Sequence, residues 1–212
     1  MDAGETRTRL QELLTAAGLT PLDDATASQF EDYLSLFIRW NEHLNLSAIR
    51  DEEGIISRHL VESIMVARDF PQGISTLLDF GSGAGLPGIP IALCRPEIAV
   101  TLAESQGKKA AFLQEAVRVL GIEAKVHAGR AEALRAVFDC VILRAVDKMA
   151  KAVVAAVPLV APSGWLALMT TGGEIAQLQK AAGTEISWSD PVKLPFGDDR
   201  ILALGRRVSS VA

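Results

Sequence analysis

The chain has 212 residues, of which 49% are hydrophobic and 22% charged, and its formal net charge is −5. This is enough apolar material for one sizeable core, which excludes a disordered chain, and the acidic balance argues against a surface coated in nucleic acid while leaving room for a local basic face. Aromatic residues make up only 5%, so the core must be aliphatic, as suits helices packed on a parallel sheet.

The opening stretch, MDAGETRTRL, is polar and carries no apolar signal segment. The longest apolar run, near Ala152–Ala161, is broken by Pro158 and is too short to span a bilayer. Cys94 and Cys140 stand alone in apolar runs with no ligand-spaced neighbours, so no zinc site is expected and a reducing compartment is. Together these point to a soluble, cytoplasmic protein.

Taken in chain order, the first seventy or so residues read as helices. RLQELLTAAG puts Leu10, Leu13, Leu14 and Ala17 on one face, with Gly18 as the expected C-cap. ATASQFEDYLSLFIRWNEHLN spaces Phe30, Leu34, Phe37, Ile38 and Leu44 by threes and fours, and Asp24, Thr26 or Ser28 offers an N-cap. A third helix, about Glu52 to Asp69, turns Ile55, Ile56, Leu60, Ile64 and Ala67 inward, and Pro71 and Gly73 end it. We expect a helical extension over residues 1–72.

After Gly73 the rhythm changes. Strand-like runs at Thr76–Phe80, Ala99–Ala103, Ala124–Ala128, Phe138–Leu143 and Trp165–Met169 alternate with helix-like runs near Gly88–Cys94, Lys108–Leu120, Asp147–Val157 and Glu174–Ala182. This order predicts a parallel sheet covered by helices on both faces, over residues 73–212. ISWSDPVKLPFGDDRILALGRR reads instead as two strands joined by a turn at Gly197–Asp199 with no helix between, hence an antiparallel pair.

The stretch LLDFGSGAGLPGIP follows the first strand and opens a helix. In an open parallel sheet, ligands sit at the carboxyl ends of the strands, and glycines there let a ligand touch the main chain. A dinucleotide fingerprint wants its third glycine three residues after the second; that position is Leu86, and the third glycine comes early, at Gly85. The pattern D-x-G-x-G-x-G, Asp79 to Gly85, resembles motif I of the methyltransferases that use S-adenosyl-L-methionine. Their cofactor carries a sulfonium and an ammonium, which favour a carboxylate such as Asp79 nearby. Glu104, at the end of the second strand, stands where an acid hydrogen-bonds ribose hydroxyls. Ala131 and Glu132 follow the third strand, where an adenine would rest, and Arg144 ends the fourth and points into the same crevice. Glu104 alone does not separate a nicotinamide cofactor from S-adenosylmethionine. A nicotinamide-dependent oxidoreductase is therefore the first alternative, weakened by the early glycine and by a sole tyrosine, Tyr33, in the helical extension.

Several separated motifs carry a closer resemblance. DFGSGAGLPGIP, TLAESQGKKAAFLQEAVRVLG and VILRAV, with WNEHLNLSAIRDEEGIISRHLVES in the helical region, resemble the RsmG family (GidB, glucose-inhibited division protein B) from about residue 30 to about residue 205. The resemblance implies a Rossmann-like class I S-adenosylmethionine-dependent methyltransferase sheet, mostly parallel with its last strand antiparallel, behind an N-terminal helical extension. It implies transfer of a methyl group to N7 of one guanine in bacterial 16S rRNA, with S-adenosyl-L-homocysteine as product and no metal. The cofactor residues it implies, with the glycine-loop reading, are Asp79, Gly81, Gly83, Gly85, Leu86, Glu104, Ala131, Glu132 and Arg144. Arg144, Arg130 and Arg200 become the candidate catalytic cations, and Lys108, Lys109, Arg130 and Arg200 the candidate RNA contacts. Trp40, Asn41, Asn45 and His59, structural residues by themselves, would hold the extension against the cofactor loop; Trp40 is either core or a surface on which a base stacks. The partner expected is 16S rRNA or the 30S subunit, with no DNA, no membrane and a monomeric enzyme.

One departure is recorded. Where the family has L-K-G after the fifth strand, this chain reads LMTTGG, with Thr170 or its neighbour at the lysine position. Lys148 or Lys151 is a candidate replacement, and a relative that binds without catalysing is a second alternative. Surface charge alone is the bland reading of Lys109, Lys148 and Lys151.

Overall fold

The computed structural model describes residues 3–47, 49, 51–197 and 199–208. Helix α1 (Ala3–Ala16) ends at Gly18, whose φ of +73° is the left-handed turn expected of a C-cap. Helix α2 (Asp24–Leu44) is capped by Asp23 rather than by Asp24, Thr26 or Ser28; its carboxylate accepts the Thr26 N–H at 2.9 Å. At the other end Asn45 takes a left-handed conformation, φ +48°, as asparagine tolerates.

The third helix is not uniform. It is α3 (Glu52–Ile55), a π-helical turn (Ile56–Val61) and α4 (Glu62–Asp69). The expected inward residues Ile55, Ile56, Leu60, Ile64 and Ala67 are all buried. Periodicity cannot reveal the widened turn, because one extra residue in a single turn shifts the phase too little to break an apolar stripe.

The sheet comprises β1 (Thr76–Phe80), β2 (Ala99–Glu104), β3 (Ala124–Ala128), β4 (Phe138–Arg144), β5 (Val160–Thr171), β6 (Ile186–Trp188), β7 (Val192–Lys193) and β8 (Arg200–Arg207). Its order is β3-β2-β1-β4-β5-β8-β6, and β7 pairs with β8. The first five strands are parallel, and β8 enters antiparallel to β5, with Thr171 opposite Arg200. The crossovers are α5 (Gly88–Cys94), α6 (Gly107–Leu120), α7 (Met149–Ala156) and, after β5, α8 (Gly172–Ala182). The expected terminal pair is present as β6 and β8, but β8 lies between β5 and β6, and β7 intervenes in the chain. Of the expected turn at Gly197–Asp199, Asp198 lies outside the described residues.

One apolar cluster runs from Leu10, Phe37 and Ile64 of the helices to Leu77, Val100 and Ile142 of the sheet, so extension and sheet share a core. Each such fully buried aliphatic or aromatic side chain contributes about 1.5–3 kcal/mol. A second cluster on the other face joins Leu78, Val141 and Leu166 to Val153 of α7 and Leu178 of α8. Among the described residues no helix is long and apolar enough to cross a membrane.

Candidate functional site

The first strand ends at Phe80 and the chain turns through Gly81–Pro87 before α5. Gly81 and Ser82 donate their N–H groups to Ala103 O, at 3.0 and 2.9 Å, which ties the loop to the neighbouring strand. Gly83 N–H donates to Glu104 Oε2 at 2.9 Å, and Gln106 N–H to Glu104 Oε1 at 2.7 Å. One buried carboxylate thus joins the loops after β1 and β2.

Two glycines differ in kind. A Cβ on Gly85 would fall 2.4 Å from Ile89 Cδ1 and 3.0 Å from Leu113 Cδ2, so that residue is glycine because α5 and α6 close on it. A Cβ on Gly83, φ +57°, would meet nothing nearer than 3.9 Å. Its bare main chain faces open space.

That space is a cleft of about 520 Å³ lined by Gly81, Gly83, Leu86, Glu104 and Arg144, with Lys109 at its edge. Residues of the α2–α3 connection, Leu46, Ser47 and Ile49, close it from the extension side. A second lobe of about 450 Å³ is lined by Arg130, Ala131, Glu132, Lys148 and Lys151. Gly81, Ser105, Gln106, Val146 and Asp147 border both. The candidate residues therefore gather on one edge of the sheet, with exceptions. Asp79 and Gly85 lie behind the glycine loop. The Asp79 carboxylate is 1% exposed and accepts Gly88 N–H at 3.0 Å; burial pushes it up to about 7, against the opposing hydrogen bonds of Ser82 and Gly88. Lys108 is exposed at the start of α6, outside both lobes, and Arg130 sits 3.5 Å from Glu132 with its side chain largely in solvent.

Arg144 is the most enclosed of the cations. Its guanidinium donates to Arg58 O at 2.7 Å, His59 Nδ1 at 2.8 Å, Ser63 Oγ at 3.3 Å and Glu62 Oε2 at 3.4 Å. All four acceptors belong to the π turn and the first residues after it. A wide turn offers a main-chain carbonyl to a side chain in a way a regular helix does not. Burial brings Arg144 down to about 10, opposed by the attraction of Glu62. Glu62 itself is wholly buried; burial raises its pKa, and Arg144 and Arg200 pull it back. Arg200 Nε lies 2.7 Å from Glu62 Oε1, off the hydrogen-bond direction, so that contact is ionic. The structure thus joins Arg144 and Arg200 through one carboxylate and leaves Arg130 apart from them.

Because a guanidinium only donates, His59 Nδ1 is the acceptor and Nε2 carries the proton toward Ser47 Oγ at 2.7 Å. Burial and the Arg144 charge hold this imidazole neutral, at about 3. Ser47 N–H in turn donates to Asn41 Oδ1 at 3.0 Å. Trp40 donates to Glu115 at 3.1 Å and meets Phe112 edge-on, bracing α2 against α6; it is packing, not an exposed platform.

Tyr33 and Glu62 do not stand out as site residues in the sequence. Tyr33 Oη donates to Ala84 O at 2.6 Å from full burial, holding the glycine loop from the extension. The signal for Glu62 was present: in RHLVES, Glu62 falls one turn after His59 on a helix whose neighbours Leu60 and Ile64 point inward. Thr170, at the departure, is buried, and it and Thr171 donate to Glu174 at 2.9 and 3.1 Å.

Comparison with solved structures places this architecture. The mitomycin 7-O-methyltransferase MmcR matches with a TM-score of 0.63 over 94% of this chain and 68% of its own, at 15% identity. A methyltransferase from Pyrococcus furiosus matches with a TM-score of 0.62 over 86% of this chain and all of its own, at 12% identity. The fold is that of the class I S-adenosylmethionine-dependent methyltransferases. Within that class, the family model described as rRNA small subunit methyltransferase G (GidB) matches residues 26–194. The ribosomal RNA small subunit methyltransferase G of Chloroflexus aggregans is 37% identical over 97% of this chain and 92% of its own. That of Xanthomonas euvesicatoria is 41% identical over 82% and 83%. The chain belongs to the rRNA small subunit methyltransferase G family.

Proposed function

We propose that the protein transfers a methyl group from S-adenosyl-L-methionine to N7 of a single guanine in bacterial 16S rRNA. The observation that carries this is the joined pair of loops, Gly83 N–H on Glu104, lying open to a cleft in a chain of this family. The residues present fit the cofactor. Gly83 leaves main chain bare toward the cleft, Glu104, which lines the same cleft, is the acid proposed for the ribose hydroxyls, and Ala131 and Glu132 line the lobe proposed for the adenine.

When bound, S-adenosylmethionine supplies an electrophilic methyl group on a sulfonium. Guanine N7 has a lone pair and no proton, so the protein need not provide a general base. Its work is to position the groups and exclude water. Arg144, with its donors held by the π turn, shapes the cleft wall rather than gripping a phosphate. Lys108, Lys109, Arg130, Lys148 and Arg200, grouped toward the carboxyl edge, are proposed to hold RNA phosphates, giving an acidic protein one basic rim. The nicotinamide reading loses further support, because Tyr33 is buried with its hydroxyl committed to Ala84.

The test is transfer of labelled methyl from S-adenosylmethionine to 30S subunits and to free 16S rRNA, both from a strain lacking the modification. Cleavage at N7-methylguanine then maps the product. One labelled guanine supports the reading; no label on either substrate, with S-adenosylhomocysteine still bound, replaces it with a non-catalytic binder.

A further inference from the structure

We propose that Phe196 is a stacking platform for an unstacked base of the RNA substrate, beside the guanine that is methylated. This rests on the rRNA methyltransferase reading and adds a contact that reading does not contain. Of the chain's seven phenylalanines, six are buried and Phe196 is 40% exposed. A single exposed apolar residue is ordinary, so its position and its constraint carry the argument.

The position is the carboxyl edge of the sheet. Since β8 runs antiparallel to β5 with Arg200 opposite Thr171, the segment entering β8 is delivered to the edge where the cofactor loops lie. There Gly197 packs on the stem of Arg200, so closely that a Cβ would fall 2.8 Å from its Cγ and Cδ. Arg200 meets Glu62, and Glu62 holds Arg144 on the cleft wall. Phe196 is thus joined to that wall by a short chain of contacts.

The constraint is the closed base of its loop. Leu194 N–H donates to Arg200 O at 2.9 Å. Asp199 pins the other side to the start of α8, accepting Gly172 N–H on its carbonyl at 2.9 Å and Gly173 N–H on its carboxylate at 3.1 Å. Phe196 itself has a φ of +59°, a conformation bulky side chains rarely adopt. Between these two anchors the ring is exposed rather than buried.

The chemistry asks for such a ring. N7 lies on the major-groove edge, which is deep and narrow in an RNA helix, so the target must be exposed or unstacked before the methyl can reach it, and a displaced target leaves an adjoining base without its stacking partner. Proteins that hold unstacked RNA bases offer them aromatic faces. Among the described residues lining the two lobes, the rings are His59, locked on Arg144, and Phe80, which is buried. Arg200, partly exposed beside Phe196, adds a cation for the adjoining phosphate. A ribosomal protein resting on the ring is the competing occupant.

The experiment compares the wild type with Phe196→Ala, Phe196→Leu and Phe196→Trp on 30S subunits and on protein-free 16S rRNA lacking the modification. Expected are an RNA KM about tenfold higher for the Ala and Leu variants on both substrates, and within about twofold of wild type for Trp, with kcat and S-adenosylhomocysteine affinity unchanged. The proposal is overturned by an unchanged KM in Phe196→Ala, by Phe196→Leu behaving as wild type, or by a loss confined to 30S subunits. Wild-type enzyme that labels neither substrate sinks the methyltransferase reading first, and this assignment with it.

Discussion

Arg144 Nη2 lies 2.8 Å from His59 Nδ1, and this bond sets the tautomer of the imidazole while fixing the guanidinium on the cleft wall. It also makes a pH statement. The folded-state pKa of His59 is lowered to about 3 from an ordinary 6.5. Between those values the unfolded chain takes up a proton that the folded protein refuses. The stability from neutral His59 is therefore present above about pH 6.5 and lost as pH falls, with a slope approaching about 1.4 kcal/mol per pH unit. Urea unfolding at a series of pH values from about 7.5 down to about 5 reads this slope. In His59→Gln, whose amide oxygen still accepts from Arg144, the His59 share of the slope should vanish; an identical slope in both proteins would place the proton uptake elsewhere.

Glu62 is the joint between the extension and the two arginines. Removing it leaves Arg144 buried without its counter-charge and Arg200 without its ionic contact. Glu62→Ala should cost about 3–5 kcal/mol of stability, as for other buried pairs broken on one side. Glu62→Gln keeps the shape and an acceptor, so it should cost less and retain a folded protein whose S-adenosylhomocysteine affinity can be measured. Chemical denaturation of the two variants decides it: equal, small losses would mean that the arginines find other partners.

Much of this arrangement was legible in the sequence, and for local reasons. Apolar runs and periodicity located α1, α2 and every strand of the parallel sheet, because the helices bury one face and the central strands both, against two apolar clusters. The glycine spacing placed the loop, since only the strand–loop–helix context makes those glycines informative. What was hidden depends on contacts across long separations. Nothing near Tyr33 indicates that its hydroxyl reaches Ala84, and nothing near Arg144 indicates four acceptors from the π turn and the first residues of α4. Asp79 shows the opposite case. The motif suggests a carboxylate near the ligand, and the fold buries that carboxylate behind the loop on Gly88 N–H at the start of α5. At Thr170 the missing lysine was plain, but that Thr170 and Thr171 both donate to Glu174 was not.

The contrast between Gly83 and Gly85 separates binding from folding. Gly83→Asp adds a side chain into open cleft at a left-handed φ. The protein should fold, with a stability loss of about 1 kcal/mol from the backbone strain, and should lose at least about a hundredfold in S-adenosylhomocysteine affinity through occlusion and displacement from Glu104. Gly85→Ala forces a methyl group onto Ile89 and Leu113, so it should unfold at markedly lower temperature, with any loss of binding following from that. Calorimetric titration and thermal melts of both variants check the distinction. Undiminished affinity in a folded Gly83→Asp protein would move the cofactor away from this loop.

Tyr33 tests whether the helical extension tunes the glycine loop. Its hydroxyl is buried and donates to Ala84 O, in the middle of the loop, at 2.6 Å. Tyr33→Phe keeps the ring packed between Phe37 and Phe112 and removes only that hydrogen bond. The carbonyl left behind is buried, so the stability loss should be about 1–2 kcal/mol. If the bond also holds the loop in its binding shape, S-adenosylhomocysteine affinity should fall about three- to tenfold, because part of the binding energy must then reorder the loop. The two effects are separable by measuring affinity well below the melting temperature, where both proteins are folded. A stability loss with unchanged affinity would make Tyr33 a packing residue alone. A loss of affinity in the folded variant would show that Tyr33 of α2, far upstream of Gly83 in the chain, is part of the cofactor site.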